Sequence, residues 1–180
     1  MELNKSKEPK ITKAEDVIKL FELLGSEGIE AWLDGGWGVD ALLGRQTRPH
    51  ADVDIVIQEK DVPRLRSLLE ERGYLDVERD DTSLWNFVLG DAQGHEVDVH
   101  AIVLDRHGNG IYGPAERGVM FPAASLTGKG HINEYSVKCI SPEYVVKFHS
   151  GYELKEKDFQ DVSALCQKFG IALPEEYARF

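Results

Sequence analysis

The hydrophobic and polar positions of the chain follow two periods, one helical and one extended. Apolar residues recur at helical spacing over residues 14–25, 37–43, 62–72, 144–149 and 156–169, and a glycine ends or closely follows each segment. Alternation or short apolar runs predict strands over residues 29–33, 52–57, 74–78, 84–89, 95–104 and 135–140. This mixed order predicts an α+β (mixed α/β) fold.

Residues 105–130 interrupt this pattern because they are rich in glycine and proline. We predict a long loop there with one short strand over 119–121, and a loop of that length in a compact domain often carries function. Ser141-Pro142 then marks the start of the C-terminal helices, since serine caps helices and proline fits the first helical turn.

Composition narrows the classes of function. The 180 residues are 42% hydrophobic, and 32 acidic against 21 basic side chains give a formal charge of −11. That charge disfavours nucleic-acid binding, which needs clustered cations, and it suits either solubility or the attraction of a cationic ligand or divalent metal. Cys139 and Cys166 lie in a predicted strand and helix and are expected to be reduced, as in a cytoplasmic protein. No apolar run is long enough to span a bilayer, so no membrane partner is expected.

Two carboxylates open the predicted strand over residues 52–57. Asp52 and Asp54 are two residues apart, so they point to the same face of the strand and repel each other. A hard cation such as Mg²⁺ between them would remove the repulsion. The alternative is a solvated strand end with two exposed carboxylates.

A glycine pair precedes these acids. Gly35-Gly36 lies between a predicted strand and a short helix, where free backbone N–H groups and a helix N-terminus favour a phosphate. The alternative is a simple tight turn. The combination with the acidic pair favours a site for a phosphate and a metal.

A third acidic strand follows. Period two puts Glu96, Asp98 and His100 on one face, with apolar residues on the other. An ordinary half-buried strand has the same pattern. If this strand neighbours the first acidic strand, however, three carboxylates converge to hold divalent cations, and one of them can accept a proton.

These segments together resemble the polymerase-β type of nucleotidyltransferase. The match is closer still to small antibiotic-modifying members of that superfamily, and over residues 15–165 the chain is similar to the lincosamide nucleotidyltransferases. The matching segments are residues 32–40, Arg48-x-His50-x-Asp52-x-Asp54, Asp98-Val99-His100 and residues 148–154, with Asp158 and Asp161 beyond them. The aminoglycoside 2″-nucleotidyltransferases share the Gly-Gly-Trp and Asp-x-Asp segments.

The resemblance implies a fold, a reaction and a set of co-substrates. The fold is a mixed β-sheet flanked by helices, with a catalytic domain over residues 14–140 and a short C-terminal helical segment over 141–180 that packs on or completes the substrate site. The reaction transfers AMP from ATP, or another nucleoside triphosphate, to a lincosamide hydroxyl and releases pyrophosphate. Two Mg²⁺ ions assist it.

The resemblance also implies roles for single residues, and the roles fall into four groups. Asp52, Asp54 and Asp98 bind the metals, and Asp98 is in addition the general base. Gly35 and Gly36 cradle the phosphates. Arg48 and His50 are further candidates for nucleotide contact, and His100 is a candidate for substrate contact. Tyr112 and Tyr152 are candidate wall residues of the substrate pocket, although helix-core packing would explain Tyr152 about as well. An exposed loop arginine or structural histidines would explain Arg48, His50 and His100 equally well.

Two alternatives differ in the acceptor or in the class of protein. A polycationic aminoglycoside would suit the charge of −11 better than a lincosamide. A nucleotidyltransferase-like antitoxin or nucleotide-binding regulator would keep the fold without catalysis, which the intact acids disfavour. Because the chain is too short for a large acceptor domain, the loop over 105–130 or a second copy in a homodimer could supply the missing walls.

Overall fold

The computed structural model describes residues 10–117 and 120–178. Within them the chain forms five α-helices, each close to a segment whose spacing predicts one. They are α1 (Ala14–Ser26), α2 (Gly35–Leu43), α3 (Val62–Glu70), α4 (Pro142–Phe148) and α5 (Glu156–Phe169). None of these helices has the length and apolarity needed to cross a membrane.

The described residues also contribute nine strands to one mixed sheet. They are β1 (Ala31–Asp34), β2 (Asp52–Gln58), β3 (Leu75–Val77), β4 (Asn86–Gly90), β5 (Glu96–Leu104), β6 (Gly110–Tyr112), β7 (Met120–Phe121), β8 (Gly128–Ile132) and β9 (Tyr135–Cys139). Seven strands follow the order β3-β4-β5-β2-β1-β9-β8, and β6 pairs with β5 and β7. Strand β2 is parallel to β5 and antiparallel to β1, so the predicted mixed sheet is confirmed.

Strand β2 is the centre of the core. Its consecutive residues Ile55, Val56 and Ile57 are all fully buried, so both faces of the strand are covered. Helix α2 packs against β8 and β2 and also against α5, which in turn contacts α4. This packing brings the C-terminal helices next to the start of α2 and the acidic end of β2.

The short strand predicted over residues 119–121 is present as β7 (Met120–Phe121), although Val119 lies outside the described residues. The rest of the predicted loop over residues 105–130 is wrong, because that segment also contains β6 and the start of β8. The glycines that indicated a loop allow close packing instead. A side chain at Gly110 would run into Ile102, and one at Gly130 would run into the backbone of Ala41.

The two thiols agree with the prediction of a reduced core. Cys139 and Cys166 are both free and buried. Burial raises the pKa of the Cys139 thiol to about 12, with Asp34 adding to the effect. This thiol is therefore neutral and unreactive at physiological pH.

Candidate active site

Adjacent strands bring the predicted acids together. Asp54 on β2 is directly in register with Asp98 on β5, and Asp52 is in register with Glu96. On the other side of β2, Asp34 at the end of β1 is paired with Asp54. Three neighbouring strands therefore present a row of carboxylates in the order Asp34, Asp54 and Asp98.

The row carries unbalanced negative charge. Burial raises the pKa of Asp54 well above its ordinary value, and the charges of Asp52, Asp34 and Asp98 raise it further. The nearby positive charge of Lys157 acts in the opposite direction but does not reverse the shift. Such a carboxylate is stabilised by a cation that reaches it.

Asp98 experiences a weaker version of the same effect. Burial is again the largest cause of its raised pKa, and Asp52 and Asp81 add to it. His100 and Arg79 lower the pKa in part. A carboxylate with a raised pKa is a better proton acceptor than an ordinary surface aspartate.

The donor set fits a divalent cation. Asp54, Asp98 and His100 each offer one ligand atom within 4.8 Å of the others. This group contains His100 in place of the predicted Asp52. Asp52 lies two residues before Asp54 on the same strand, and its role as a metal ligand stays a prediction. Carboxylate oxygens suit Mg²⁺, and the imidazole nitrogen also suits softer divalent metals.

The glycine pair forms the first turn of helix α2. The helix begins at Gly35, two residues earlier than predicted, and the Asp34 carboxylate caps it by accepting from the Gly35 N–H at 2.9 Å. Gly35 has a φ of +58°, and a side chain there would collide with the Asp54 carboxylate. A side chain at Gly36 would collide with the His50 ring. Glycine is needed at both positions because the start of α2 packs closely against Asp54 and His50.

A cleft of about 670 Å³ opens in front of this turn. The helix start and strand β2 contribute Gly35, Gly36, Asp52 and Asp54 to its lining. The C-terminal segment contributes Tyr152, Glu153, Lys155, Lys157, Asp158 and Asp161. We call it the glycine-side cleft.

A second, smaller cleft of about 190 Å³ lies on the other side of the acids. It shares Asp52 with the glycine-side cleft and includes Asp98. Its remaining walls carry Arg79, Asp81, Thr82, Asn86, Phe87, Val88 and Glu96. We call it the Asp98-side cleft.

Arg48 and His50 join the site in different ways. The Arg48 guanidinium lines the glycine-side cleft and forms an ion pair with Asp161 at 2.9 Å. His50 also borders this cleft, but its side chain is buried and bonded to the equally buried Asp40 at 2.5 Å. The geometry of His50 is that of a structural, hydrogen-bonded histidine.

The three expected substrate contacts separate into two places. His100 and Tyr112 lie together beside Asp98, with 3.2 Å between His100 Nδ1 and the Tyr112 hydroxyl. Burial raises the pKa of Tyr112 to about 12, so the hydroxyl stays protonated. Tyr152 lies instead in the glycine-side cleft, where its hydroxyl donates to Asp158 at 3.3 Å.

Comparison with known proteins assigns the family. The model of the aminoglycoside-2″-adenylyltransferase family matches residues 16–165. The chain belongs to this family. The chain is also similar to a lincosamide resistance protein of Staphylococcus haemolyticus, with 31% identity over 153 residues that cover 83% of this chain and 89% of that protein. The predicted membership of the antibiotic nucleotidyltransferases is confirmed.

Solved structures agree with this assignment. The lincosamide antibiotic adenylyltransferase LnuA, solved with lincomycin bound, superposes with a TM-score of 0.76 at 28% identity, over 91% of this chain and 100% of that chain. The structure of ANT(2″)-Ia in complex with adenylyl-2″-tobramycin gives a TM-score of 0.70 at 21% identity over 92% of both chains. The second likeness supports the nucleotidyltransferase fold alone.

Sequence reasoning missed two cations of this site. Lys155 and Lys157 line the glycine-side cleft together with Gly35 and Gly36. They flank the start of helix α5 in a Lys-Glu-Lys-Asp run that resembles any solvated helix start. Only the packing of α5 on α2 brings them to the acids, and local spacing carries no signal of that packing.

Proposed function

We propose that the protein is an antibiotic O-nucleotidyltransferase that moves AMP from ATP to a hydroxyl of a lincosamide. The acceptor oxygen forms a bond to the α-phosphorus, the bond to the bridging oxygen of the leaving pyrophosphate breaks, and the hydroxyl proton passes to Asp98. The observation that carries this proposal is the pairing of Asp54 with Asp98 between two clefts. The lincosamide acceptor is proposed from the Staphylococcus relative and from LnuA.

The glycine-side cleft suits the nucleotide. Gly35 and Gly36 offer backbone N–H groups at a helix N-terminus, which binds phosphate well. Arg48, Lys155 and Lys157 line the same cleft and would offset the charge of the triphosphate. Tyr152, at its rim, is a candidate contact for the nucleoside part.

The acids at the junction suit the metal ions. Asp52, Asp54 and Asp98 would hold two Mg²⁺ ions, with His100 close enough to complete the set. When bound, the ions neutralise charge on the phosphates and on the leaving pyrophosphate. The protein's own part is to keep these carboxylates adjacent and partly desolvated.

Asp98 is the residue we propose as general base. It borders the Asp98-side cleft, where an acceptor can reach it without crossing the nucleotide. Its raised pKa improves proton transfer from a hydroxyl. His100 and Tyr112 flank Asp98, and we assign them to the acceptor side.

A specific observation also favours an aminoglycoside acceptor. The Asp98-side cleft contains the carboxylates of Asp52, Asp81, Glu96 and Asp98, and its cation Arg79 is already bonded to Glu96 at 2.7 Å. Such a cleft attracts an acceptor with several amines. The matching family model carries the aminoglycoside name as well.

One assay tests both acceptors. The protein is incubated with labelled ATP and Mg²⁺ against a panel of lincosamides and, separately, a panel of aminoglycosides. We expect an AMP adduct and an equal amount of pyrophosphate with a lincosamide. Adducts with aminoglycosides alone would replace the acceptor class, and no adduct from either panel would refute the proposed function.

A further inference from the structure

A chain of hydrogen bonds runs beneath the glycine turn and ends in helix α5. The Arg48 guanidinium meets the Asp161 carboxylate through two nitrogens, Nη2 at 2.9 Å and Nε at 3.4 Å. Its third nitrogen, Nη1, lies 3.1 Å from His50 Nδ1. Arg48 is therefore held from two sides by side chains that come from different parts of the chain.

The support on the His50 side is rigid. Because Arg48 donates to Nδ1, the ring proton is on Nε2, which donates to Asp40 at 2.5 Å. Thr47 donates to the second Asp40 oxygen, also at 2.5 Å. The Trp37 ring packs on His50 at 4.9 Å between centroids. These contacts fix the orientation of the imidazole.

The held guanidinium faces the phosphate-binding turn. Arg48 Nη2 lies 2.8 Å from the place that a Cβ on Gly36 would occupy, and Arg48 lines the glycine-side cleft. Its side chain is 24% exposed, whereas the Asp161 side chain is only 5% exposed. The arginine can thus reach a ligand, while its carboxylate partner, which also borders the cleft, is almost fully buried.

We propose that Asp161 is a positioning residue that acts on the nucleotide through Arg48, an inference that rests on the proposed function. The bidentate pair holds the guanidinium within hydrogen-bond distance of His50 and keeps it from turning into solvent. It also ties α5, which carries Lys157, to the turn at Gly36. Asp161 therefore strengthens nucleotide binding although its own charge repels phosphate.

The sign of its effect separates this role from simple repulsion. A carboxylate that only repels phosphate weakens binding, so Asp161→Asn would then tighten it. A positioning carboxylate gives the opposite result, and only while Arg48 is present. Glu153 is a matched control because it is an exposed carboxylate that lines the same cleft.

The test is a double-mutant cycle of Arg48→Ala and Asp161→Asn in the full chain. The probe is α,β-methylene-ATP with Mg²⁺, titrated by calorimetry. We expect Asp161→Asn to weaken binding roughly tenfold in the wild-type background and less than about twofold in Arg48→Ala. Glu153→Gln should not weaken binding. With active protein, Asp161→Asn should raise KM for ATP with little change in kcat or in KM for the acceptor.

Asp161→Glu guards against loss of folding, since it keeps the charge but shifts the guanidinium by one methylene. We expect it to weaken binding as well, with an unfolding midpoint close to that of the wild type. The inference is overturned if Asp161→Asn tightens binding, or if it weakens binding equally with and without Arg48. If the cycle shows coupling but the wild type transfers no AMP, the proposed function fails while the positioning role stands.

Discussion

The two clefts on either side of strand β2 differ in how their charge is arranged. The glycine-side cleft mixes Arg48, Lys155 and Lys157 with several carboxylates, and its walls come from α2, β2 and the segment that leads into α5. The Asp98-side cleft is built from the neighbouring β3 to β5 region, and its arginine is already paired with Glu96. In each cleft the arginine is paired with a carboxylate, but the glycine-side cleft also contains Lys155 and Lys157, whereas the described lining of the Asp98-side cleft contains no lysine.

Under the proposed function, this difference assigns a different substrate to each cleft. A triphosphate is bound best where backbone N–H groups and cations converge, which is the glycine side. An amine-bearing acceptor is drawn to the carboxylate side. The acids Asp52, Asp54 and Asp98 line the two clefts, so in the proposed reaction the two substrates would meet at these carboxylates.

Removing the base at the junction is expected to have the largest effect. Asp98→Asn should lower kcat by about 10³-fold or more, because the general base and a metal ligand are lost together. Binding of α,β-methylene-ATP in the glycine-side cleft should change far less. Asp76→Asn, on the exposed edge strand β3, is the control. If Asp98→Asn keeps more than about a tenth of the activity, Asp98 is not the base.

Replacing Asp54 is expected to remove activity and to stabilise the fold. Asp54→Asn removes a buried charge that other carboxylates repel, so we expect the EDTA-treated protein to gain about 1 to 2 kcal/mol in free energy of unfolding while activity is lost. Urea denaturation measures the gain. Added Mg²⁺ should reduce the difference, because it stabilises only the wild-type site.

The pH dependence of that gain follows from the raised pKa of Asp54. Asp54 binds its proton more tightly in the folded protein than in the unfolded chain. Protonation of Asp54 therefore stabilises the wild-type fold fully at low pH, and this stabilisation is lost as the pH rises through the raised pKa. The advantage of Asp54→Asn in EDTA should therefore widen with pH. A constant or narrowing difference would contradict the mutual repulsion of the acids.

Period two was enough to predict the acidic faces of β2 and β5, since both strands alternate carboxylates with buried valines. Their register was not predictable, because the alternation of residues within each strand does not determine which residue of β5 pairs with Asp54. Strand β8 was missed for a related reason. Gly128 and Gly130 resemble loop residues until β9 and Ala41 are placed against them.

The cations were the least predictable part of the site. Arg48 was identified through its motif, but its partner Asp161 lies in the last helix, and no local pattern relates them. Lys155 and Lys157 approach the acids only after α5 has packed on α2. Side chains that depend on the docking of a distant helix leave no periodic signal in the sequence.

Removing Lys157 from the glycine-side cleft is expected to have the next largest effect on activity. Lys157 lies close enough to Asp54 to lower its pKa, so it is placed to meet the phosphates. We expect Lys157→Ala to raise KM for ATP roughly fivefold to tenfold with little change in kcat or in KM for the acceptor. Lys129→Ala removes the same charge from edge strand β8 and should leave KM for ATP unchanged. An equal rise in KM for the acceptor would mean that the clefts do not divide the substrates.

The smallest expected effect belongs to the acidic wall of the Asp98 side. Asp81 is exposed and bonded to Asn86 at 3.0 Å, so water and salt screen its charge. We expect Asp81→Asn to raise KM for an amine-bearing acceptor about twofold to threefold at low ionic strength and not at high ionic strength, with KM for ATP unchanged. Asp80→Asn makes the same change one residue away, outside the described lining of the cleft. Because both variants change the net charge equally, an effect confined to Asp81→Asn would locate the acceptor in the Asp98-side cleft. Equal effects from both variants would mean that the preference for an amine-bearing acceptor comes from the overall charge of −11. That result would contradict the assignment of the two clefts.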